Sequence, residues 1–323
     1  MFAPYFFGYE KVIASELRRR GAEVDFLPDR PFKSAVMKGV TRIRRELILA
    51  YADQYYLREV QAFRPKNYDL VLIVQGEGVS PKLLSTLRNS FPHAAFVLYM
   101  WDSFRNKKSL IKNIIYFDRC LTFDRDDAKQ YGIEFRPLFF SDEFARTTER
   151  DSDIGLSFVG TAHSDRYSIV SRIAENLPDS VNFFRYLYLQ APWLFWFNKL
   201  SNRAFRDAAI DEFNFAPLAK SEVQRIFFGS RAVLDIEHPA QMGLTMRTFE
   251  TLGARKKLIT TNKTIREYDF FNPQNIKVID RDQVKLLTGA FLHEPYVELS
   301  ADIYAKYSLQ GWMDEILKPT LNN

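Results

Sequence analysis

The sequence contains a single cysteine, Cys120, in 323 residues. One thiol cannot form an intramolecular disulfide, and it also excludes a cysteine-rich metal site. Histidine is scarce as well, with 4 residues and no cluster at metal-ligand spacing. We therefore expect no metal and no cofactor, and a reducing, cytoplasmic setting.

Long apolar runs are missing too. No segment reaches the roughly 20 consecutive apolar residues that span a bilayer, and Glu10 comes too early for a signal peptide. The net charge of +5 favours anionic partners, namely nucleotides, phospholipid surfaces or nucleic acid, without choosing among them. Because the cations are spread along the chain without a recognised binding motif, we expect no nucleic-acid partner.

Apolar strand segments alternate with helical segments along the whole chain, which predicts an α/β fold with parallel sheets. The predicted strands are 2–7, 24–27, 70–74, 96–100, 120–123, 135–138, 155–159, 182–187, 231–236, 256–260 and 276–279. A long helix is expected over 35–63, with basic residues on one face. The charged stretch 146–153 is typical of a linker. We expect two Rossmann-like domains facing across a cleft.

The domain boundaries follow from the same pattern. An N-terminal domain is predicted over residues 1–145 and a second domain over 146–300. Segment 301–323 contains a predicted final helix from Ala301 to Leu317, which we expect to fold back over the first domain.

The most informative stretch runs from His238 to Asn262. An apolar strand ending at Asp235 leads into a polar loop, then a helix that carries Glu250, then Gly253 and a second strand. This pattern predicts a βαβ unit with a polar strand tip. The carboxyl ends of parallel strands bind ligands, and a helix N-terminus there favours phosphate. The stretch therefore predicts a nucleotide site.

The order of these residues resembles the donor-binding segment of GT-B glycosyltransferases. It is most similar to the CgeB-like branch, which includes bacterial enzymes of lipopolysaccharide and capsule assembly. Four further segments carry the resemblance, which covers most of residues 1–280: Phe7–Glu10, Tyr99–Ser103, Leu121–Asp124 and Phe158–His163. The resemblance implies a transferase that moves a sugar from a nucleotide-diphosphate donor in the second domain to a glycan or lipid-linked acceptor on the first. A non-catalytic nucleotide- or carbohydrate-binding protein of the same fold is the alternative.

The resemblance assigns the donor's ribose hydroxyls to Glu250, whose carboxylate can accept two hydrogen bonds. A glutamate on the helix surface is the alternative. Arg247 lies one turn earlier on the same face, where it could bind pyrophosphate or simply pair with Glu250 at the surface. Gly243, Leu244 and Thr245 would donate backbone N–H groups to the donor.

A second set of donor-site candidates follows the first strand of the second domain. By the resemblance, the tip at Gly160 and Thr161 lies beside the donor phosphates. His163 or Arg166 could then balance charge on the departing diphosphate, with His163 a catalytic candidate. A loop that caps the next helix is the alternative. His238 is a further donor-binding candidate.

Asp102, which ends a predicted strand, is the favoured general base in the first domain, with helix capping as its alternative. Glu10 is the other candidate base. The acceptor-binding candidates lie at two strand tips: Gly8, Tyr9, Gly76 and Glu77.

Asp124 and Asp126 could be mistaken for the metal-binding aspartates of GT-A enzymes, but we favour N-terminal capping of the next helix. Retaining enzymes of the GT-B fold commonly carry two glutamates eight positions apart. Met242 occupies the position eight before Glu250, which weakly favours an inverting reaction.

An aromatic stretch within 183–206 includes Trp193, Trp196 and Phe197, followed by the cations Lys199 and Arg203. We favour a helix buried between the domains. The alternative is an interfacial helix that holds the protein at the inner face of an anionic membrane.

Overall fold

The computed structural model describes residues 1–31, 45–63, 67–145, 153–239, 242–282 and 289–319. The chain divides into two compact units, one formed by Met1–Pro137 with Leu309–Asn323 and the other by Leu138–Ser308. Each unit is built on a six-stranded, fully parallel sheet with flanking helices. The predicted α/β class with two Rossmann-like domains is confirmed.

The first sheet has the strand order β2-β1-β3-β4-β5-β6. Its central strands β3 and β4 are nearly continuous apolar runs, because helices cover both faces of a parallel sheet. The elements of this unit are β1 (Phe2–Ala3), α1 (Tyr9–Arg19), β2 (Leu27–Pro28), α2 (Arg45–Ala62), β3 (Leu70–Val74), α3 (Pro81–Ser90), β4 (Ala95–Met100), a 3-10 helix (Lys108–Tyr116), β5 (Arg119–Thr122), α4 (Arg125–Tyr131), β6 (Glu134–Phe135) and α11 (Leu309–Ile316).

The second sheet has the order β12-β11-β10-β7-β8-β9. The elements of this unit are β7 (Ile154–Thr161), α5 (Arg166–Asn176), β8 (Phe183–Tyr188), α6 (Pro192–Ser201), β9 (Phe213–Asn214), α7 (Lys220–Phe228), β10 (Ser230–Asp235), α8 (Met246–Gly253), β11 (Lys257–Thr260), β12 (Ile276–Val278), α9 (Gly289–His293) and α10 (Ala301–Lys306). Four 3-10 helices complete it: Asp142–Phe144, Arg203–Phe205, Ile210–Glu212 and Lys263–Glu267.

Two helix starts illustrate how local sequence sets the element boundaries. Ser80 accepts a hydrogen bond from the Leu83 N–H at 3.0 Å, and Pro81 occupies the first helical position of α3. Asp124 likewise accepts the backbone N–H of Asp126 at 2.9 Å at the start of α4. The capping interpretation of Asp124 is therefore confirmed.

Three predicted elements differ from the structure. Strand β1 ends at Ala3 because Pro4 has no N–H to continue the ladder, and β2 is displaced to Leu27–Pro28. The final helix is split into α10 and α11 at Tyr307, whose carbonyl accepts the Phe140 N–H at 2.9 Å. The helix predicted over 35–63 is seen as α2, while 35–44, which include most of its basic face, lie outside the described residues.

Within the described ranges, no helix is both long enough and apolar enough to cross a membrane.

Candidate functional site

The second sheet places its ligand-binding edge between β7 and β10. Counted within this unit, its strands run in the order 3-2-1-4-5-6, so the connections leave β7 and β10 in opposite directions. Ligands bind at such a switch point, outside the carboxyl ends of the strands. The candidates near Thr161 and those after Asp235 follow these two strands, and the structure brings them together.

Arg166 joins the two strand tips. Its Nε donates to the carbonyl of Ile236 at 2.6 Å, and its Nη1 donates to the carbonyl of Thr161 at 3.1 Å. No ion pair to Arg166 is found among the described residues. Burial lowers its pKa, the nearby Asp235 and Glu237 carboxylates oppose this shift, and Arg247 and Arg281 act in the same direction as burial. Arg166 is therefore a partly buried cation that makes no ion pair among the described residues, a state that a bound anion would stabilise.

Gly160 leaves space for the Phe158 ring beside Arg166. A Cβ at this position would lie 3.0 Å from the Phe158 ring, which is too close, and 3.6 Å from Nη1 of Arg166, which is ordinary contact. A larger residue here would therefore have to displace the phenylalanine ring rather than the guanidinium.

His163 and His238 lie next to this arginine, with ring centroids 5.5 Å apart. Burial, together with Arg166 and His238, lowers the pKa of His163 to about 4. Its imidazole is therefore neutral at neutral pH. It can exchange a hydrogen bond with a ligand, but the positive charge that we assigned to either His163 or Arg166 comes from Arg166.

Hydrogen bonds at both ends fix the loop that precedes α8. Asp235 accepts the hydroxyls of Thr245 and Thr248 at 2.6 and 2.7 Å, and Thr245 is the N-cap of the helix. The carbonyl of Met242 accepts from Asn262 at 3.3 Å and from Thr264. Between these anchors the predicted donor residues Gly243 and Leu244 are buried, so the loop presents its backbone in a fixed position.

Glu250 is buried on α8 and accepts a hydrogen bond from Arg247 at 2.6 Å. The guanidinium of Arg247 also lies over the Phe227 ring, at 4.8 Å. The pairing that we considered as an alternative is thus present, but the carboxylate is not a surface group. A ligand hydroxyl at Glu250 would share the carboxylate with Arg247.

The first sheet has a switch point between β1 and β3, where four neighbouring strand tips meet. Asp102 accepts the Ser103 N–H and the Asn106 side-chain amide, both at 2.9 Å, but it caps no helix, since the next helical segment starts at Lys108 after the N-cap Lys107. Glu10 is buried and accepts the Phe6 N–H at 3.2 Å, and Tyr9 is buried beneath the edge.

Three further predicted acceptor residues lie at these tips. Gly8 and Gly76 both have left-handed backbones, at φ 80° and 78°. Glu77 accepts hydrogen bonds from Arg30 and Lys107 at 2.5 and 2.9 Å. These residues turn the chain away from β1 and β3 at the sheet edge.

No protein-family model and no curated protein matches the sequence. Solved structures do match over nearly the whole chain. Alr3699/HepE from Anabaena, crystallised with UDP and glucose, is 10% identical with a TM-score of 0.52, covering 98% of this chain and 94% of its own. A glycosyltransferase from Rickettsia africae is 11% identical with a TM-score of 0.56 and 98% coverage of both chains. Sucrose-phosphate synthase from Thermosynechococcus elongatus is 7% identical with a TM-score of 0.57, covering 84% and 77%.

The fold is that of the GT-B glycosyltransferases.

One arginine at the carboxyl edge of the second sheet, Arg281, was not predicted from the sequence. Arg281 follows β12 and pairs with Asp165 at 2.8 Å and with Glu237 at 2.7 Å. Glu237 in turn accepts the Thr261 hydroxyl at 2.5 Å. The sequence pattern could have indicated this residue. Arg281 comes two residues after the predicted strand 276–279, at a strand end of the same kind as the one that identified Thr161.

The aromatic stretch forms α6, and its predicted burial is wrong for one face. Trp193, Trp196, Phe197 and Leu200 are exposed at 65%, 57%, 60% and 90%. Their spacing of three and four residues places them on one side of the helix. Phe195, by contrast, is buried against other rings of this unit.

The described residues include no group of three or more histidine, cysteine, aspartate or glutamate side chains placed to hold a metal. Metal independence stays a prediction.

Proposed function

We propose that this chain is a glycosyltransferase that takes a sugar from a nucleoside-diphosphate donor bound at the β7–β10 edge. The observation that carries the proposal is Arg166, a partly buried cation held by two backbone carbonyls at the switch point. The HepE structures contain UDP or UDP-glucose, and the Staphylococcus aureus MnaA structure contains UDP, which supports a uridine nucleotide as the first probe.

In this proposal the diphosphate leaves with the electron pair of the bond to the sugar's anomeric carbon. Arg166 and the N–H groups at the start of α8 stabilise the developing charge, so no metal is needed. His163 donates or accepts a hydrogen bond as a neutral imidazole. An acceptor hydroxyl forms the new bond, and its proton passes to a carboxylate. Asp102 is the favoured base, because it is partly exposed while Glu10 is buried. We further propose an inverting reaction, since Met242 replaces the second glutamate of retaining enzymes.

The resemblance to the CgeB-like branch supports a finer assignment. We propose that the acceptor is a glycan or a lipid-linked glycan precursor, and that the reaction belongs to bacterial surface polysaccharide assembly in the cytoplasm.

Glu250→Gln tests the donor site. If Glu250 holds ribose hydroxyls, the substitution should weaken UDP binding by about 1–3 kcal/mol in titration calorimetry. It should weaken 2′-deoxy-UDP binding less, because one of the two hydroxyls is already absent. The exposed Glu222→Gln on α7 is the matched control. Equal losses for both nucleotides, or no loss, would remove Glu250 from the ribose site.

We also propose that the exposed face of α6 inserts into an anionic membrane, where a lipid-linked acceptor is found. Tryptophan and phenylalanine beside cations suit the headgroup layer. Arg203 and Arg206 follow the helix and are exposed, so they can contact lipid phosphates while the apolar face of α6 enters the bilayer interface.

Trp196→Ala tests this surface. It should lower affinity for phosphatidylglycerol-containing liposomes by about tenfold, since most of the indole is exposed in the protein and would be buried in lipid. The melting temperature should not change. Co-sedimentation measures the binding, and Ile115→Ala, at an isolated residue that is 82% exposed, is the control. The proposal would be contradicted if the wild-type protein does not bind liposomes, or if its binding does not weaken as the salt concentration rises.

A further inference from the structure

The carboxyl edge of the first sheet carries a charged cluster, which consists of Arg30, Gln75, Glu77 and Lys107. Arg30 follows β2, Gln75 and Glu77 follow β3, and Lys107 lies beyond β4, so three strands of the sheet supply the cluster. Three donors converge on one oxygen of Glu77: Nη2 of Arg30 at 2.5 Å, Nζ of Lys107 at 2.9 Å and Nε2 of Gln75 at 3.3 Å.

Arg30 and Lys107 contribute two positive charges to this cluster, and Glu77 contributes one negative charge. The fully buried Asp29 nearby is a second carboxyl group, but burial and the Glu77 carboxylate raise its pKa to about 7, which favours its neutral form below that pH. Nε of Arg30 is buried and has no hydrogen-bond partner among the described residues. The side chains of Arg30 and Lys107 are nevertheless 29% and 21% exposed. Two partly accessible cations with spare N–H donors are what an anionic group requires for recognition.

The backbone holds Glu77 in place between the cations. Gln75, a non-glycine residue, has a left-handed φ of 71°, and Gly76 follows at 78°. Gly78 cannot carry a side chain, because a Cβ there would lie 2.1 Å from the Asp29 carbonyl oxygen. Strained backbone conformations of this kind occur most often at active sites and ligand-binding sites.

Aromatic rings continue the cluster along the same edge. Gln75 accepts the indole N–H of Trp101 at 2.7 Å, and the Trp101 ring lies 5.6 Å from that of Phe6. Phe6 and Phe7 are 42% and 66% exposed. Sugar rings present apolar C–H faces that pack on such rings, while their charged substituents need cations nearby. The edge offers both within one continuous set of contacts.

We propose that this edge binds a saccharide that carries an anionic group, with Arg30 and Lys107 on the anion and Phe6 and Phe7 against the sugar ring. The anion is the carboxylate of a uronate or the phosphate of a sugar ester. This inference rests on the proposed function, since it gives the chemical class of the acceptor. Glu77 is a positioning residue, which keeps the two cations ordered when no ligand is bound.

Direct binding tests the inference without any turnover. Methyl glucuronide, glucose 6-phosphate and methyl glucoside are titrated into the full chain and followed by ligand-observed NMR. We expect at least one anionic sugar to bind about tenfold or more tightly than methyl glucoside. A preference for the glucuronide identifies a uronate acceptor, and one for the phosphate identifies a phosphorylated acceptor.

Four variants locate the residues responsible for this preference. Arg30→Gln and Lys107→Gln should each abolish it, while Lys108→Gln, the same change at the exposed neighbouring residue, should leave it intact. Arg30→Lys should restore part of it, which guards against a folding defect in Arg30→Gln. Equal affinity for all three sugars, no binding of any, or a preference that survives both glutamine variants would overturn the inference.

UDP binding in the same samples separates the two proposals. UDP binding without an anionic preference overturns only this inference. An anionic preference that depends on Arg30 and Lys107, in protein that binds neither UDP nor any other nucleoside diphosphate, supports the saccharide site and contradicts the proposed transferase.

Discussion

Asp29→Asn should make the protein more stable than wild type above neutral pH and remove a stability loss that wild type shows between about pH 4 and pH 7. Asp29 is fully buried. One carboxylate oxygen accepts the Gly78 N–H at 3.3 Å, and the other has no hydrogen-bond partner among the described residues. Burial, reinforced by the nearby Glu77 carboxylate, raises the pKa of Asp29 from 3.8 to about 7.

The sign of the pH dependence follows from the raised pKa of Asp29. A raised folded-state pKa means that the folded protein prefers the protonated carboxyl, while the unfolded chain releases the proton at lower pH. Stability therefore falls as pH rises from the unfolded value towards the folded one, and it is constant above about pH 7. A shift of about three pKa units corresponds to about 4 kcal/mol. Asparagine keeps the shape and carries no proton to lose.

The measurement is the free energy of urea unfolding for both proteins at several pH values. The difference in unfolding free energy between the two proteins isolates the contribution of Asp29. This comparison is needed because the titration of His163 changes the stability in the opposite direction. Its pKa is lowered to about 4, so its contribution to stability increases as pH rises towards its unfolded value. A wild-type-to-variant difference that stays constant between about pH 4 and pH 8 would show that Asp29 is ionised throughout.

Strand periodicity and polar strand tips were enough to predict the sheet architecture. Each βαβ repeat buries an apolar strand and ends it with residues such as Thr161 or Asp102, so the parallel sheets could be read locally. The same logic placed the donor-site candidates at the strand ends. The order of strands in each sheet, which creates the two switch points, depends on contacts distant in sequence and became clear only in the structure.

The features of the sites that could not be predicted from the sequence are contacts between residues that lie far apart in the chain. Nothing local indicates that Arg30 and Lys107 meet on Glu77, since they are 47 and 30 residues away from it. The exposed face of α6 was misjudged for a related reason. Its apolar composition fits a buried helix as well as an interfacial one, and only the packing of Phe195 shows which side faces inward.

Arg166→Met should weaken UDP binding by about 100-fold, while uridine binding should be nearly unchanged. Among the described residues the Arg166 guanidinium makes no ion pair and donates only to two backbone carbonyls, so it can form charge-assisted hydrogen bonds with a diphosphate. Arg247 and Arg281, in contrast, are already paired with Glu250 and with Asp165 and Glu237. The diphosphate should therefore lose its main electrostatic partner.

Arg172→Met is the matched control for this substitution. Arg172 lies on the same helix, α5, and among the described residues it also donates only to backbone carbonyls, including those of Arg281 and Asp282 at 2.6 and 3.0 Å. It removes the same charge and the same kind of hydrogen bond, but away from the tip of β7. Arg166→Lys should keep part of the UDP affinity, because the charge remains while the fork that bridges Thr161 and Ile236 is lost. If Arg166→Met and Arg172→Met weaken UDP binding equally, or if uridine binding falls as far as UDP binding, Arg166 supports the fold and the diphosphate is held elsewhere.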